Sequence, residues 1–289
     1  MTTASDWVAG ARPRTLWTAA SAVAVGSGAA AAVDEFAWVP ALLALAVGLA
    51  LQIASNYVND YADGVRGTDV DRVGPDRLVA TGRATPTAVK RAAILACVAA
   101  CAAGIALVAL TETWWLLLVG AIAIAAAWTY TATSRPYGYE GWGEVSVFVF
   151  FGPVAVLGTM YTQAGSITWW AVVASAGVGF YAVALLLVNN IRDLDTDLVA
   201  GKRTLAVKLG DRDARRLFML IVMLPTACTV IVAFAQPWVL ISALVALPSL
   251  LVALAGRVGA VRVGAPLIFK AISGIGLAYG ILMTVGLMF

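Results

Sequence analysis

The stretch from Phe36 to Asn59 carries no formal charge, and uncharged apolar runs of similar length recur to the end of the chain. About 20 apolar residues wound as a helix, at about 1.5 Å per residue, cross the ~30 Å hydrocarbon core of a bilayer. A helix satisfies its own backbone hydrogen bonds, as a lipid-exposed segment must. The runs fall at 15–33, 36–59, 92–111 and 113–134, two within 145–191 separated at 162–166, two within 217–256 separated at Gln236-Pro237, and one at 271–289. The expected architecture is an all-α integral membrane protein, nine transmembrane helices in one bundle, with residues 1–289 as a single transmembrane domain. Pro153, Pro225 and Pro248 fall inside spans and predict kinks. The composition agrees: 62% of residues are hydrophobic and 12% charged, against about 25% charged in soluble domains.

Nine crossings place all 19 Lys and Arg on one side of the membrane. They lie at Arg12 and Arg14, between Arg66 and Arg91, at Arg135, between Arg192 and Arg216, and at Arg257, Arg262 and Lys270. The positive-inside rule puts that side and the N-terminus in the cytoplasm, and the C-terminus outside the cell membrane. Trp38, Trp114, Trp115, Trp169, Trp170 and Trp238 begin even-numbered spans at the opposite interface, as an aromatic belt does. The first span has the flank and apolar stretch of a secretory signal, yet further spans rather than a globular region follow it. The net charge of +3 therefore reflects cytoplasmic loops, not a nucleic-acid surface. Cys97, Cys101 and Cys228 lie within spans and read as apolar packing residues. The absence of His excludes imidazole catalysis and His-ligated metal.

Chemistry concentrates in two cytoplasmic loops, about 60–91 and 192–216, each opening on acids. The first begins NDYADGVRGTD, with Asp60, Asp63 and Asp69, and Asp71 follows; the second begins NNIRDLDTDLVAGKRT at Asn189. Both contain Asn-x3-Asp at a helix end and Asp-x3-Gly after it, which suggests a pseudo-repeat of two half-bundles. In the first copy the pair is either Asn56…Asp60 or Asn59…Asp63. Residues i, i+3 and i+4 share a helix face. Gln52, Asn56, Asp60 and Asp63 thus form one polar stripe with Asn59 beside it; Asn189, Asp193 and Asp197 form another, and Asp195 points away as a surface residue.

An acid at membrane level costs about 2.5–3.5 kcal/mol on insertion scales. One such cluster is ordinarily a solvated loop. Two clusters, each preceded by Asn one turn earlier, indicate a shared site. Clustered carboxylates repel one another and require a cation. Oxygen ligands without His or thiol suit Mg²⁺ or Mn²⁺, typically held by one or two carboxylates plus substrate phosphates. Lys202 and Arg203 follow the second cluster, and Arg66 and Arg72 lie in the first. Acid, metal and base together describe a diphosphate site.

The segments NDYADGVRGTD, DRLVATGRATP, GEVSVFVFFGPVAVLGT and NNIRDLDTDLVAGKRTLAVKLG resemble the UbiA superfamily of intramembrane prenyltransferases. The likeness covers essentially the whole chain and is strongest to the quinone-synthesis branch that acts on 1,4-dihydroxy-2-naphthoate. It implies a nine-span fold and Mg²⁺-dependent transfer of a polyprenyl chain from its diphosphate to the naphthoate. CO₂ and diphosphate leave, giving demethylmenaquinol for menaquinone synthesis. Two Mg²⁺ ions are implied, on a set drawn from Asp60, Asp63, Asp69, Asp193 and Asp197; which of the first three ligate stays open. The implied catalytic residues are Asp63, Asp193, Asp197 and Lys202. Substrate contacts fall to Asn56, Asn59, Arg66, Tyr130, Arg135, Asn189, Lys202 and Arg203. Lys202 and Arg203 would neutralise the departing diphosphate, and Arg135 would pair with the acceptor's carboxylate. Tyr130, Phe148 or Tyr181 would shield an allylic cation, with the prenyl tail leaving through a lateral opening to the lipid bilayer.

Other acceptors (4-hydroxybenzoate, haem, chlorophyllide or a phosphoribose) would keep the same acidic site. Cation-coupled transport would place its acids near the bilayer midplane at broken helices, whereas these lie at cytoplasmic helix ends beside bases. The charge asymmetry also sets a test of topology. Reporter fusions after Phe289 and within 197–210 should report opposite sides of the membrane, and the same side for both would overturn the nine-span reading.

Overall fold

A computed structural model of the protein describes residues 2–67 and 77–289, and among these every regular element is helical. In chain order the helices are α1 (Ala4–Gly10), α2 (Trp17–Ala31), α3 (Trp38–Arg66), α4 (Pro86–Thr111), α5 (Leu116–Thr129), α6 (Gly143–Ala164) and α7 (Trp169–Arg192). There follow the short α8 (Leu194–Val199), then α9 (Leu205–Val232), α10 (Pro237–Arg257), the one-turn α11 (Ala260–Val263) and α12 (Ala265–Leu287). Seven of them, α3, α4, α6, α7, α9, α10 and α12, are long and apolar enough to cross a membrane. The other two expected spans, α2 and α5, have only 15 and 14 helical residues. Each loses a turn at its start: a 3-10 turn takes up Pro13–Thr15 before α2, and Glu112, in the left-handed region at φ 56°, turns the chain ahead of α5.

The expected breaks are present. Gly165 at φ 62° ends α6, and the Thr168 hydroxyl accepts the Ala171 N–H to start α7. Pro153 sits in a π-helical turn, Phe150–Val154, inside α6; a wider turn accommodates the missing N–H. Within α9 the non-helical residue is Gly210 (φ 74°, ψ 166°), while Pro225 lies in helical backbone.

Of the long helices α7 is the most buried, packed by α6, α9 and α12. Each of the two acid-bearing helices, α3 and α7, packs most extensively on the next long helix, α4 and α9 respectively. Small residues set the approach of α2 and α12: Gly276 lies against the Trp17 ring, Gly280 against Ser21, and Gly28 against Thr284. Helices in lipid gain little from apolar burial and associate through close contact at such positions. By contrast α5 buries no residue; one side lines the cavity discussed below, and Leu118 and Ile122 face outward.

A β-carbon on Gly276 would drive into Trp17, whereas one on Gly274, two residues away, meets nothing within 4 Å. Overpacking of this kind costs about 1–3 kcal/mol. Gly276→Val should therefore lower the thermal midpoint of the solubilised protein by several degrees, while Gly274→Ala should leave it unchanged or slightly raised. Equal shifts for both would show that α2 and α12 are not in contact there.

Candidate active site

A cavity of about 590 Å³ runs from the C-terminal ends of α3 and α7 into the bundle, walled mainly by apolar residues of α2 to α7. Its polar end is built by helix length. With 29 residues α3 is about 43 Å long, more than the thickness of a hydrocarbon core, and Gly67 (φ 71°) ends it beyond the acidic turns. Gln52, Ser55, Asn56, Asn59 and Asp63 form its cavity face.

Asp60 is buried on another face. Its two carboxylate oxygens accept the backbone N–H groups of Leu78 (2.8 Å) and Val79 (3.0 Å). Asp60 thus departs from the expected stripe: it is turned to the returning loop and is absent from the cavity wall. The grip has a consequence one residue earlier. Arg77, itself buried, is brought with its Nη2 2.9 Å from Asp63 Oδ2. The Tyr139 hydroxyl donates to the other oxygen of Asp63.

The second cluster follows the expected face. Hydrogen bonds continue past the end of α7, from Asp193 N–H to the Asn189 carbonyl (2.9 Å) and from Asp197 N–H to the Asp193 carbonyl (2.7 Å). Asn189, Asp193 and Asp197 accordingly all line the cavity, while Asp195 is exposed and pairs with Arg262. Arg192 holds Asp193 through two bonds of 2.6 Å each. After Gly201 (φ 73°) the Lys202 N–H returns to the Asp197 carbonyl at 2.9 Å. Its ammonium then lies 3.6 Å from Asp197 and 3.8 Å from Asp63, over the Tyr139 ring at 4.7 Å. Acids from the two halves of the chain therefore share one cation.

The remaining expected residues divide. Asn56 lines the cavity but donates to the Ala11 carbonyl (2.8 Å) and Thr15 Oγ1 (3.1 Å), holding the N-terminal segment over the mouth. Asn59 accepts from Thr131 at 2.8 Å. Tyr130 lines the cavity; burial, reinforced by nearby acids, pushes its phenol well above the ordinary range, so it stays protonated. Arg66 is not on the wall: it donates to the Thr131 and Thr133 carbonyls and stacks on Tyr139, pinning the loop after α5. Beyond those pinned residues Arg135 is exposed, as is Arg203, and neither reaches the cavity. Phe148 packs on Phe180, and Tyr181 is buried in the core bonded to Ser249 (2.8 Å), so neither can face a ligand. Asp69 and Arg72 lie outside the described residues. Sequence reasoning missed Arg77, Tyr139, Arg12 and the pair Phe150-Phe151, all of which line the cavity.

Among the described residues no three acids, cysteines or histidines converge to hold an ion unaided. The arrangement instead offers carboxylates and ammonium or guanidinium groups around a polar mouth above an apolar interior, suited to a ligand with an anionic head and a hydrocarbon tail.

A family model described as the UbiA prenyltransferase family matches residues 16–266. The chain is 49% identical over 268 residues to the 1,4-dihydroxy-2-naphthoate octaprenyltransferase of Mycobacterium tuberculosis, spanning 93% of this chain and 91% of that protein. Its fold is similar to the apo structure of a UbiA homologue from Aeropyrum pernix, with TM-score 0.71, 21% identity, and 93% and 96% of the two chains covered. It is also similar to a UbiA homologue from Archaeoglobus fulgidus bound to DMAPP and Mg²⁺, with TM-score 0.68, 17% identity, and 96% and 99% covered.

The geometry separates five neighbouring acids. Asp63→Asn, Asp193→Asn or Asp197→Asn should each lower prenyl transfer by about 100-fold or more, and Asp195→Asn by no more than about threefold, since it lies on the outer face. Asp60→Asn should lower the thermal midpoint by loosening the 77–84 return. Steady-state rates and melting curves of the five variants check this; comparable losses of rate at Asp195 would break the assignment by face.

Proposed function

Because the chain belongs to the UbiA prenyltransferase family, we propose that it transfers a polyprenyl chain from its diphosphate to 1,4-dihydroxy-2-naphthoate, releasing diphosphate and CO₂ and giving demethylmenaquinol for menaquinone synthesis. The observation that carries this reading is Lys202 set between Asp63 and Asp197 at the mouth of an otherwise apolar cavity. The named relative at 49% identity supports the naphthoate as acceptor. Residues 1–289 act as one transmembrane domain with nine crossings, the N-terminus and both acid clusters cytoplasmic.

The donor set fits Mg²⁺. Hard carboxylate oxygens of Asp63, Asp193 and Asp197 line one cavity, and Mg²⁺ is typically held by one or two carboxylates with diphosphate oxygens completing its shell. When bound, Mg²⁺ supplies Lewis-acid neutralisation of charge developing on the diphosphate. Lys202 and Arg77 add fixed positive charge at the same end. The apolar walls keep water from the allylic centre as the bond to diphosphate breaks. Phe150 and Phe151 lie on that wall together with Tyr130, whereas Phe148 and Tyr181 do not, and an aromatic face attracts a cation. Attack by the carboxyl-bearing ring carbon, followed by loss of CO₂, restores the aromatic ring without removal of a ring proton.

Purified protein given a polyprenyl diphosphate, Mg²⁺ and carboxyl-labelled naphthoate should release labelled CO₂ one-for-one with prenylated product. Exhaustive chelation should abolish both, and added Mg²⁺ should restore them. A product that keeps its carboxylate would replace this reaction with the 4-hydroxybenzoate type, and activity surviving chelation would remove the metal from it.

A further inference from the structure

We infer that Asn190, held in orientation by Glu144, recognises a ring hydroxyl of the acceptor; this rests on the naphthoate reading above. Asn190 follows Asn189 on α7 and lines the cavity. Its Nδ2 donates to Glu144 Oε1 at 2.8 Å, and Glu144 is buried behind the wall rather than on it. With the amide nitrogen held from behind, the carbonyl oxygen of Asn190 is the atom left toward the cavity. It has no hydrogen-bond partner among the described residues.

Glu144 is an expensive means of holding one amide. It is 6% exposed, lies at the start of a membrane-level helix, and its second oxygen is buried without a hydrogen-bond partner. Ionisable groups at membrane depth are rare unless they serve a site, and a half-satisfied buried carboxyl group in a native fold requires a reason. An acid in the first turn of a helix also favours the helix dipole, but an exposed acid would do the same without burial. Glu144 accepts and does not donate to Asn190, which fixes the amide with its N–H inward and its oxygen outward. The amide oxygen, beside Asn189 and less than a turn from Asp193 at the polar end of the cavity, accepts an O–H; it gives nothing to a hydrocarbon chain or to the oxygens of an ionised diphosphate, which are acceptors themselves. The ligand it selects is therefore the hydroxylated ring, not the prenyl donor. Glu144 is a positioning residue, and Asn190 is the contact.

The test compares the naphthoate with 1-hydroxy-2-naphthoate and 4-hydroxy-2-naphthoate, each lacking one hydroxyl, as competing ligands. Wild-type protein should bind one of the two analogues about 10-fold or more weakly than the full acceptor, because a site built to bond a hydroxyl rejects its absence. Asn190→Ala should raise the acceptor KM by a similar factor and erase that discrimination, with the donor KM moving less than about twofold. Glu144→Leu should reproduce the Asn190→Ala pattern, the double variant should add little, and Glu144→Gln, which keeps an acceptor oxygen toward the amide, should recover most of the loss. Discrimination that survives in Asn190→Ala overturns the inference even if Glu144→Leu fails to fold. So does a donor KM that rises with the acceptor KM. Wild-type protein that does not prenylate the naphthoate at all sinks the acceptor reading and this inference with it, whereas wild-type turnover with unmoved variants sinks the inference alone.

Discussion

Lys202 is shared by Asp63 and Asp197, at 3.8 and 3.6 Å; Asp63 lies on α3 and Asp197 on α8, which follows α7 directly. A charge in a low-dielectric interior is tolerable only when paired, and removing one member strands the others. Arg77 joins Lys202 and these acids, at 2.9 Å from Asp63, and the side chains are nearly sealed from solvent. The acid-bearing ends of α3 and α7 are thus held together by paired charges instead of by apolar packing. That kind of closure suits a site where an anion and its metal must enter. Opposite charges can exchange partners with an incoming diphosphate, as packed leucines cannot.

The bundle was legible because lipid leaves a chain few choices. Uncharged runs marked the positions of the long helices, and Gly165 ends α6 and Pro237 opens α10 where turn chemistry predicts. The second acid cluster was legible for the same reason: backbone hydrogen bonds carry the helical register to Asp197, so spacing alone sorts Asp193 and Asp197 from Asp195. The first cluster was not. Asp60 and Asp63 are less than one turn apart, and periodicity cannot say which faces the cavity. What decides it is the path of the loop after α3, whose Leu78 and Val79 N–H groups take Asp60 for themselves. Arg77 was invisible on the same ground, since nothing local marks it as returning to Asp63. Arg135 misled through nearness in sequence: Arg66 pins the carbonyls of Thr131 and Thr133, and the residue beyond faces solvent.

Aromatic placement shows a similar limit. Of Tyr130, Phe148 and Tyr181, the aromatics expected to shield an allylic cation, only Tyr130 reaches the cavity. The π-helical turn at Phe150–Val154 changes which side chains face inward, and it brings two consecutive Phe residues onto the wall. A single proline in the sequence signals that a helix is disturbed there, without saying which way its side chains turn.

The helix α5 carries a consequence for the surrounding lipid. Its 14 residues reach about 21 Å, well short of a ~30 Å hydrocarbon core, and with no buried residue it is the thinnest part of the cavity wall. Acyl chains beside α5 must compress or tilt to match it, at a cost of fractions of a kcal/mol per Å. In the proposed nine-crossing topology the bilayer would thin beside α5, on the outer side of the cavity wall. Membrane thickness, set by lipid chain length and sterol-like additives, acts as a mechanical load on that wall, and the protein's working environment extends into the first shell of lipid around it.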